Sequence, residues 1–400
     1  MVVNLLRKAF KGIALFALPV IILFGCASGD KKNNVLVIDE AITPLPLFEK
    51  DKYDSLVSPG KIIKAAIPLK FQLSGIGNSI VAEAASIFVA DHKYYVWDKK
   101  FSGLKVFDEN GNYLFQVGKV GKGPGEYIKI FDVKFVDSSR IILLCDAVNL
   151  LYFDLAGNYL KTTSLGMFAY TFSITPTGDF LFYINNNFSE KSKQFNVVLT
   201  DSTIKVLDRF FESEMKDDPA SFDYTGFLNN DIGNSLYAIP FDDKVFAFNG
   251  GAFRVQYKFN LGANKLAESI INNNVRSRAA ERRKADYIGS EFFEGQHYLF
   301  FSYKEDDRIL YGILDKQKNT LNTALNIERT DDYLSRLFYV PLGRVGDTLL
   351  VGVQPEKIIY LRDTHKDYLE MIKVSNKPLY DMIQSFHATD NMVLLKCVLK

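Results

Sequence analysis

Apolar residues in this chain come in short runs, each closed by turn-forming residues. Tyr94-Tyr95-Val96-Trp97-Asp98 precedes Leu104-Lys105-Val106-Phe107-Asp108, and a turn through Glu109-Asn110-Gly111-Asn112 leads into Tyr113-Leu114. Runs this short, rich in β-branched and aromatic residues and bounded by Gly, Asn and Asp, predict strands. The pattern returns at Ile142-Leu143-Leu144-Cys145-Asp146 and again at Leu151 to Leu160. Gly111 and Gly157 lie 46 positions apart, as do Asp108 and Asp154. The shared Asp-x-x-Gly-Asn-Tyr-Leu predicts a hairpin. Its Asp caps the turn, and its Gly takes the left-handed conformation that costs other residues energy.

Weaker copies follow at Asn196–Asp201, Val245–Gly251, Ile309–Asp315 and Asp347–Val353. Six units with a period near 46 and several strands each predict an all-β fold, a six-bladed β-propeller with helical insertions. One small twisted sheet cannot bury both of its faces, whereas radial stacking lets each blade cover its neighbours. Met392 to Val398 reads as the strand that helps close the ring, since open terminal blades would expose unpaired edges.

Three stretches break the rhythm. Residues 212–235 are polar and turn-rich, and 263–286 read as a helix carrying Arg276, Arg278, Arg282 and Arg283. Residues 356–386 show helical patches, one of them starting at Pro378, a residue suited to a first helical turn. Insertions of this kind carry the individual function of a repeat protein.

The first residues have a different grammar. Arg7, Lys8 and Lys11 precede an apolar run from Ile13 to Phe24, too short for the ~20 residues of a membrane-spanning helix. It ends in Leu23-Phe24-Gly25-Cys26, which resembles a bacterial lipobox. The expected organisation is a signal peptide over 1–25, lipid on Cys26, a tether and lead-in over 26–59 and the propeller over 60–400. That places the protein in the cell envelope, at the outer membrane, held to the bilayer through Cys26.

Composition agrees with a folded chain, 48% hydrophobic and 24% charged. A net charge of +1 argues against a nucleic-acid partner, which needs clustered basic surface. Cys145 and Cys397 fall in separate strand-like runs and are expected not to meet. The four histidines are scattered, and nothing in the spacing calls for a metal or a cofactor.

Between the first two clear units lies Gln116-Val117-Gly118-Lys119-Val120-Gly121-Lys122-Gly123-Pro124-Gly125-Glu126-Tyr127. This run, after the Asp-x-x-Gly hairpin and together with the ending Asp390 to Lys400, resembles the six-bladed β-propeller lipoproteins of Gram-negative anaerobes, relatives of the NHL-repeat propellers. The resemblance implies the propeller fold and an envelope location, and no particular activity.

The glycine-rich run is not a phosphate loop. Pro124 stands where a P-loop needs Lys, and no helix begins there. Gly123, Pro124 and Gly125, like Gly111 and Gly157, read as structural turn residues. Asp98, Asp108, Asp146 and Asp154 recur with the blades, which fits turns better than a catalytic pair. Asp217, Asp218 and Asp223 lack the alternation of a calcium loop. The arginines at 276–283 fit recognition of an anionic sugar, phosphate or acidic protein, because their forks match carboxylates. No nucleophile-and-base arrangement can be assigned. The expected function is non-catalytic binding of an envelope protein or glycan, with nutrient capture as the setting. The alternative is an envelope hydrolase or lyase acting on polysaccharide or peptide.

Overall fold

The computed structural model describes residues 44–46, 57–74, 79–136, 139–190, 193–213, 226–228, 235–239, 241–261, 265, 284–305, 308–318, 320–325 and 332–400. Cys26 and Arg276, Arg278, Arg282 and Arg283 lie outside these residues, as do Asp217, Asp218 and Asp223.

Six four-stranded sheets form the blades of a propeller. Blade I runs Ala84–Ala90, Lys93–Asp98, Gly103–Phe107 and Tyr113–Val117. Blade II runs Ile130–Val136, Arg140–Cys145, Asn149–Asp154 and Tyr159–Ser164. Blade III runs Thr171–Ile174, Phe180–Glu190, Lys193–Thr200 and Val206–Ser213. Blade IV contains Ser235–Ala238, Lys244–Asn249 and Ala252–Asn260. Blade V runs Tyr287–Glu294, Tyr298–Glu305, Arg308–Asp315 and Thr320–Leu325. Blade VI takes Pro341–Val345, Thr348–Val353 and Val393–Leu399 from the C-terminal end and Ile63–Lys70 from the N-terminal side.

The packing explains why the strands read as nearly unbroken apolar runs. In Arg140–Cys145, alternate residues point to opposite faces. Ile141, Leu143 and Cys145 join a core shared with Tyr95, Trp97, Leu104 and Val106 of blade I. Ile142 and Leu144 join Phe172, Phe180, Phe182 and Val198 of blade III. Both faces are buried, so both must be apolar. The described core divides into six such clusters, one at each junction between neighbouring blades, including VI against I, where Leu350 and Leu394 meet Ile87, Val96 and Phe107.

Closure comes from an exchange between the two ends of the chain. Val393–Leu399 is an inner strand of blade VI, and Ile63–Lys70 lies antiparallel on its outer side, from Ile63 opposite Leu399 to Lys70 opposite Val393. The closing role expected for the C-terminal run is therefore met. Its partner, the strand at 63–70, is a feature the repeat pattern did not reveal. A second piece of lead-in, Leu45–Pro46, adds a parallel edge to Ala252–Asn260 of blade IV.

Blade IV departs from the expected boundaries. Phe227 bridges Tyr237, and Leu228 N–H donates to Leu236 O at 3.0 Å, so Phe227 and Leu228 continue the sheet on the inner side of Ser235–Ala238. Part of the stretch 212–235 thus belongs to the ring. Two apolar residues between polar segments are too short a run to signal a strand.

The insertion at 356–386 folds into helices Pro355–Thr364, Lys366–Ser375 and Lys377–Gln384. Pro378 sits in the first turn as expected, and Asn376 Oδ1 accepts from Leu379 N–H at 3.2 Å to cap it. These helices are not a free appendage. Ile358, Leu361, Ile372, Leu379 and Ile383 enter the core between blades V and VI. The same Asn376 donates its Nδ2 to Ala66 O at 2.7 Å, fixing the helices to the closing strand.

The hairpin signature does what its composition requires. Asp108 Oδ1 accepts from Asn110 and Asn112 N–H at 2.9 and 2.8 Å, and Gly111 takes φ +81°. Asp154, Ala156, Asn158 and Gly157 (φ +82°) repeat this bond for bond. In blade III the turn at Asp201 keeps the bonds to Thr203 and Lys205 N–H, but Ile204 stands at the glycine position with φ +70°. Its side chain packs against the junction of blades II and III, which offsets the backbone strain.

Gly111 carries a second constraint, because a Cβ there would lie 2.2 Å from Lys70 O of the closing strand. Gly178 has the same kind of dihedral, φ +85°, with open space around it. Gly111→Ala should therefore cost at least ~2 kcal/mol and Gly178→Ala about 1 kcal/mol, the left-handed strain alone. Urea denaturation of both variants beside the parent measures the difference. Equal losses would show that the hairpin does not press on the closing strand.

Candidate functional site

An antiparallel blade sends its chain back and forth between the two ends of the ring. First-to-second and third-to-fourth connections therefore emerge at one end, and second-to-third and blade-to-blade connections at the other. At the first end the connections are short: 91–92, 108–112, 155–158, 175–179, 201–205, 250–251, 295–297 and 346–347. At the second end begin and end the connections 71–83, 118–129, 214–225, 261–286, 326–340 and the helix-bearing 354–392. The long connections share one end of the ring.

The roots of these connections are tied down by aspartates in the turn between second and third strands. Asp98 is buried, pairs with Lys105 Nζ at 2.7 Å, and accepts from Ala82 N–H at 2.9 Å and Lys100 N–H at 3.0 Å. Asp146 accepts from Lys129 and Ile128 N–H at 2.8 and 3.2 Å. Each carboxylate latches the chain as it enters the innermost strand of its own blade. Their recurrence is structural, as the sequence pattern implied.

The glycine-rich crossover 118–129 is a self-contained fold. Lys119–Val120 and Glu126–Tyr127 pair in parallel, and Gly118 and Gly125 adopt φ +63° and +75°. A Cβ at Gly118 would meet the Tyr127 ring at 2.8 Å, and one at Gly125 would meet Tyr159 at 2.9 Å. Gly123 does not need a left-handed φ. Its N–H donates to Glu126 Oε2 at 2.8 Å, while Glu126 Oε1 pairs with Lys119 Nζ at 2.9 Å. The Gly123 bond, followed by the lysine, holds the Glu126 carboxyl below its usual range. The loop's own carboxylate occupies the place where a phosphate would have to sit, which disposes of the phosphate-loop reading.

Within the ring, inner strands line a cavity of about 400 Å³. Phe88, Phe135, Ile174 and Phe293 supply apolar walls, Ser86 and Ser173 hydroxyls, and Lys134 and Arg344 positive charge. These cations are engaged by the frame. Lys134 Nζ lies 3.1 Å from Asp132 Oδ1, whose other oxygen accepts from Phe172 N–H at 3.0 Å and so couples blades II and III. Arg344 donates to Gly346 O at 2.5 Å.

A pair of carboxylates that sequence reasoning missed lies at the long-connection end of blade IV. Asp242 and Asp243 follow Phe241, whose φ of +67° is strained for a bulky residue. Asp243 Oδ2 pairs with Lys265 Nζ at 2.6 Å, and Lys244 Nζ stands 3.8 Å from Asp242 and 3.9 Å from Asp243. Burial, reinforced by a hydrogen bond with Asp243, pushes the Asp242 carboxyl up to about 6. Burial acts on Asp243 in the same sense, but its bonds to Lys265 and Asp242 prevail and hold it low. Split acidities invite an acid–base reading. Yet the two side chains are only 11% and 8% exposed. Their bonds to Lys265 and, through Asp243 O, to Phe259 N–H at 2.8 Å make them a clasp on the start of the arginine-bearing connection.

The remaining chemical candidates are structural. Cys145 and Cys397 are free and buried in separate cores, and burial pushes both thiols up, Cys397 to about 12. His297 Nδ1 lies 2.7 Å from Asp347 Oδ2 at the short-connection end, joining blade V to blade VI. Among the described residues no group of three or more His, Cys, Asp or Glu is placed to hold a metal ion. No helix among them is long and apolar enough to cross a membrane.

Fold and site together define a six-bladed β-propeller whose elaborated loops share one end. Residues 76–397 match the family described as a domain of unknown function, DUF4934, and the chain belongs to that family. No curated protein matches the sequence. Among solved structures, the chain is similar to a Bacteroides fragilis protein described as exported, at 19% identity and TM-score 0.67, covering 89% of this chain and 99% of that one. A DUF4221 member from Bacteroides vulgatus matches at 11% identity and TM-score 0.48, over 84% and 97% of the two chains. Virginiamycin B lyase from Staphylococcus aureus matches at 11% and 0.41, over 72% and 82%. The first likeness supports the fold alone, and the other two carry no argument.

The clasp makes a pH prediction. The folded carboxyl of Asp242 titrates near 6, above the 3.8 of an unperturbed Asp, so its contribution to stability is full below 3.8 and is lost as pH rises through 6. Asp242→Asn stays neutral and keeps the acceptor for Asp243 N–H. It should raise stability at pH 7 by about 1–3 kcal/mol and change little at pH 4. Denaturant titrations at the two pH values check this, and a gain at pH 4 as large as that at pH 7 would contradict it.

Proposed function

We propose that this protein is a non-catalytic, lipid-anchored propeller of the cell envelope that binds a protein or glycan partner through the long-connection end of its ring. The observation that carries the reading is the confinement of the long connections to that end, while the opposite end keeps tight hairpins. A rigid ring lets such loops vary in length and charge without disturbing the strands. The split carboxylates nearest that end are consumed in a clasp, which supports binding over hydrolysis. The lipobox at Leu23–Cys26 supports the anchor and the location at the outer membrane. Nutrient capture is the setting that fits an envelope binding module.

The anchor is tested by Cys26→Ala, since two or more acyl chains hold stably to a bilayer where one is marginal. The variant should move from the detergent phase to the aqueous phase on partitioning. Unchanged partitioning would remove the lipid from the proposal.

The partner surface is tested by Arg278→Ala with Arg282→Ala. These residues are four apart, so on a helix they share a face. Capture of an envelope partner in a pull-down should weaken, most clearly at low salt, where screening is least. The melting temperature should move by no more than the effect of ~0.5 kcal/mol, the usual limit for exposed charges. A large drop in melting temperature would mean that the arginines pin the connection to the blades instead.

A further inference from the structure

Exposed apolar side chains flank hairpins at the short-connection end, Val89, Tyr159, Leu160 and Val345 among them, but the hairpin tips themselves are different. At the short-connection end, the hairpin tips 91–92, 108–112, 155–158, 175–179 and 201–205 expose no large apolar residue. At the long-connection end of blades I and II, three such residues lie in the connections, Ile128 at the root of the crossover 118–129. They are Phe101, Ile128 and Phe168, respectively 52%, 51% and 61% exposed. Each belongs to a different connection, and hydrogen bonds between backbones bring two of these connections together. Asp146 N–H donates to Lys129 O at 2.9 Å, and Ala169 N–H donates to Ala147 O at 2.8 Å, so Ile128 and Phe168 flank the same turn. Phe101 occupies the equivalent turn of blade I, where its N–H donates to Asp98 Oδ1.

Lysines stand beside two of these residues. Lys99 and Lys100 directly precede Phe101, and Lys129 directly follows Ile128; all three are exposed. The carboxylates in the same segments are largely committed. Glu126 is paired with Lys119, Asp146 is bonded to the N–H groups of Ile128 and Lys129, and Asp98 is buried with Lys105. Glu83 is the exposed exception, and its carbonyl oxygen accepts from Lys99 N–H at 2.9 Å.

We infer that this sector of the ring rests on an anionic phospholipid surface, with Phe101, Ile128 and Phe168 entering the headgroup boundary and Lys99, Lys100 and Lys129 facing lipid phosphates. Single exposed apolar side chains in separate connections, two of them beside lysines, suit a fluid interface that closes around them. A protein partner would have to offer a separate pocket to each side chain. A sugar would stack on the two aromatic rings but has no use for the aliphatic Ile128. The positive charge selects anionic over neutral lipid. The inference does not depend on the lipid at Cys26, although chain length would let that anchor reach the same bilayer. The stretch between Cys26 and Pro44 extends to at most about 60 Å.

The test uses the full chain with Cys26→Ala, so that no acyl group is attached. Cys145 and Cys397 are buried, which lets an environment-sensitive dye be placed selectively through Phe168→Cys or Ile128→Cys, with His92→Cys at the opposite end as the reference. Vesicles containing phosphatidylglycerol should shift the dye at 168 and 128 to the blue and leave the dye at 92 unchanged. Pure phosphatidylcholine vesicles should do neither, and 0.5 M salt should weaken the response. Lys99→Glu with Lys100→Glu and Lys129→Glu should raise the lipid concentration needed for half of the shift at least tenfold. A shift of equal size at 92, an equal response to phosphatidylcholine, or no change in the lysine variant would overturn the inference. So would the same shift produced by soluble polyglutamate without vesicles, which would mark an acidic polymer as the occupant. Loss of partner capture in the arginine variant leaves this result untouched, so the two proposals fail separately.

Discussion

Every blade of this protein has two apolar faces, and that constraint governs the rest of the structure. A sheet with one apolar face can rest on a core and show its other face to water. Here Ile141, Leu143 and Cys145 point one way and Ile142 and Leu144 the other, and all five are buried. Such a strand is stable only between two neighbours. Each neighbour has the same need, so the series cannot end; it must return to its beginning. The ring is the arrangement in which six sheets satisfy one another, and the six clusters of buried side chains are the six places where they do.

The polar groups serve the same end from the outside. Asp108 and Asp154 tighten the hairpins between third and fourth strands. Those hairpins fit against the preceding blade: the space for a Cβ at Gly111 is taken by Lys70 O, and at Gly157 by the Phe115 ring. Gln72 N–H donates to Gly111 O at 2.8 Å, which adds a bond across the seam where the chain closes. Asp98, Asp146 and Asp243 act at the other end, holding connections to blades. Two sets of aspartates that both recur with the blades do different work, and their hydrogen-bond partners distinguish them.

Much of this was legible in the sequence because it depends on local chemistry. A left-handed φ calls for glycine, so Gly111 and Gly157 announce their hairpins, and the period between them announces the blades. What escaped notice depends on partners far along the chain. Ile63–Lys70 looks like any apolar run until Val393–Leu399 is placed beside it. Leu45–Pro46 and Phe227–Leu228 are too short to carry a period at all. The helices of 355–384 were readable as helices, and Pro378 falls in a first turn as expected. Their burial between blades V and VI was not, because an apolar helix face does not say what it covers. Asp242 and Asp243 escaped for the same reason, since acidity near 6 follows from burial that only the assembled ring supplies.

The two ends of the ring differ because strand order makes them differ. A short-end connection joins strands that are hydrogen-bonded neighbours, and a tight hairpin is the cheapest way to join them. A blade-to-blade connection must travel from the outermost strand of one sheet to the innermost strand of the next, so length there costs little more than the crossing itself. Blade VI adds a further opening, because its second-to-third connection spans 354–392 while the strands on either side remain paired from Thr348 opposite Val398 to Val353 opposite Val393. The latches at Asp98, Asp146 and Asp243 fix the roots of such segments, so what lies between the roots can change without altering the strands. Rigidity and variation are thereby separated along the axis of the ring: the end with hairpins maintains the fold, and the end with crossovers is where recognition can be built.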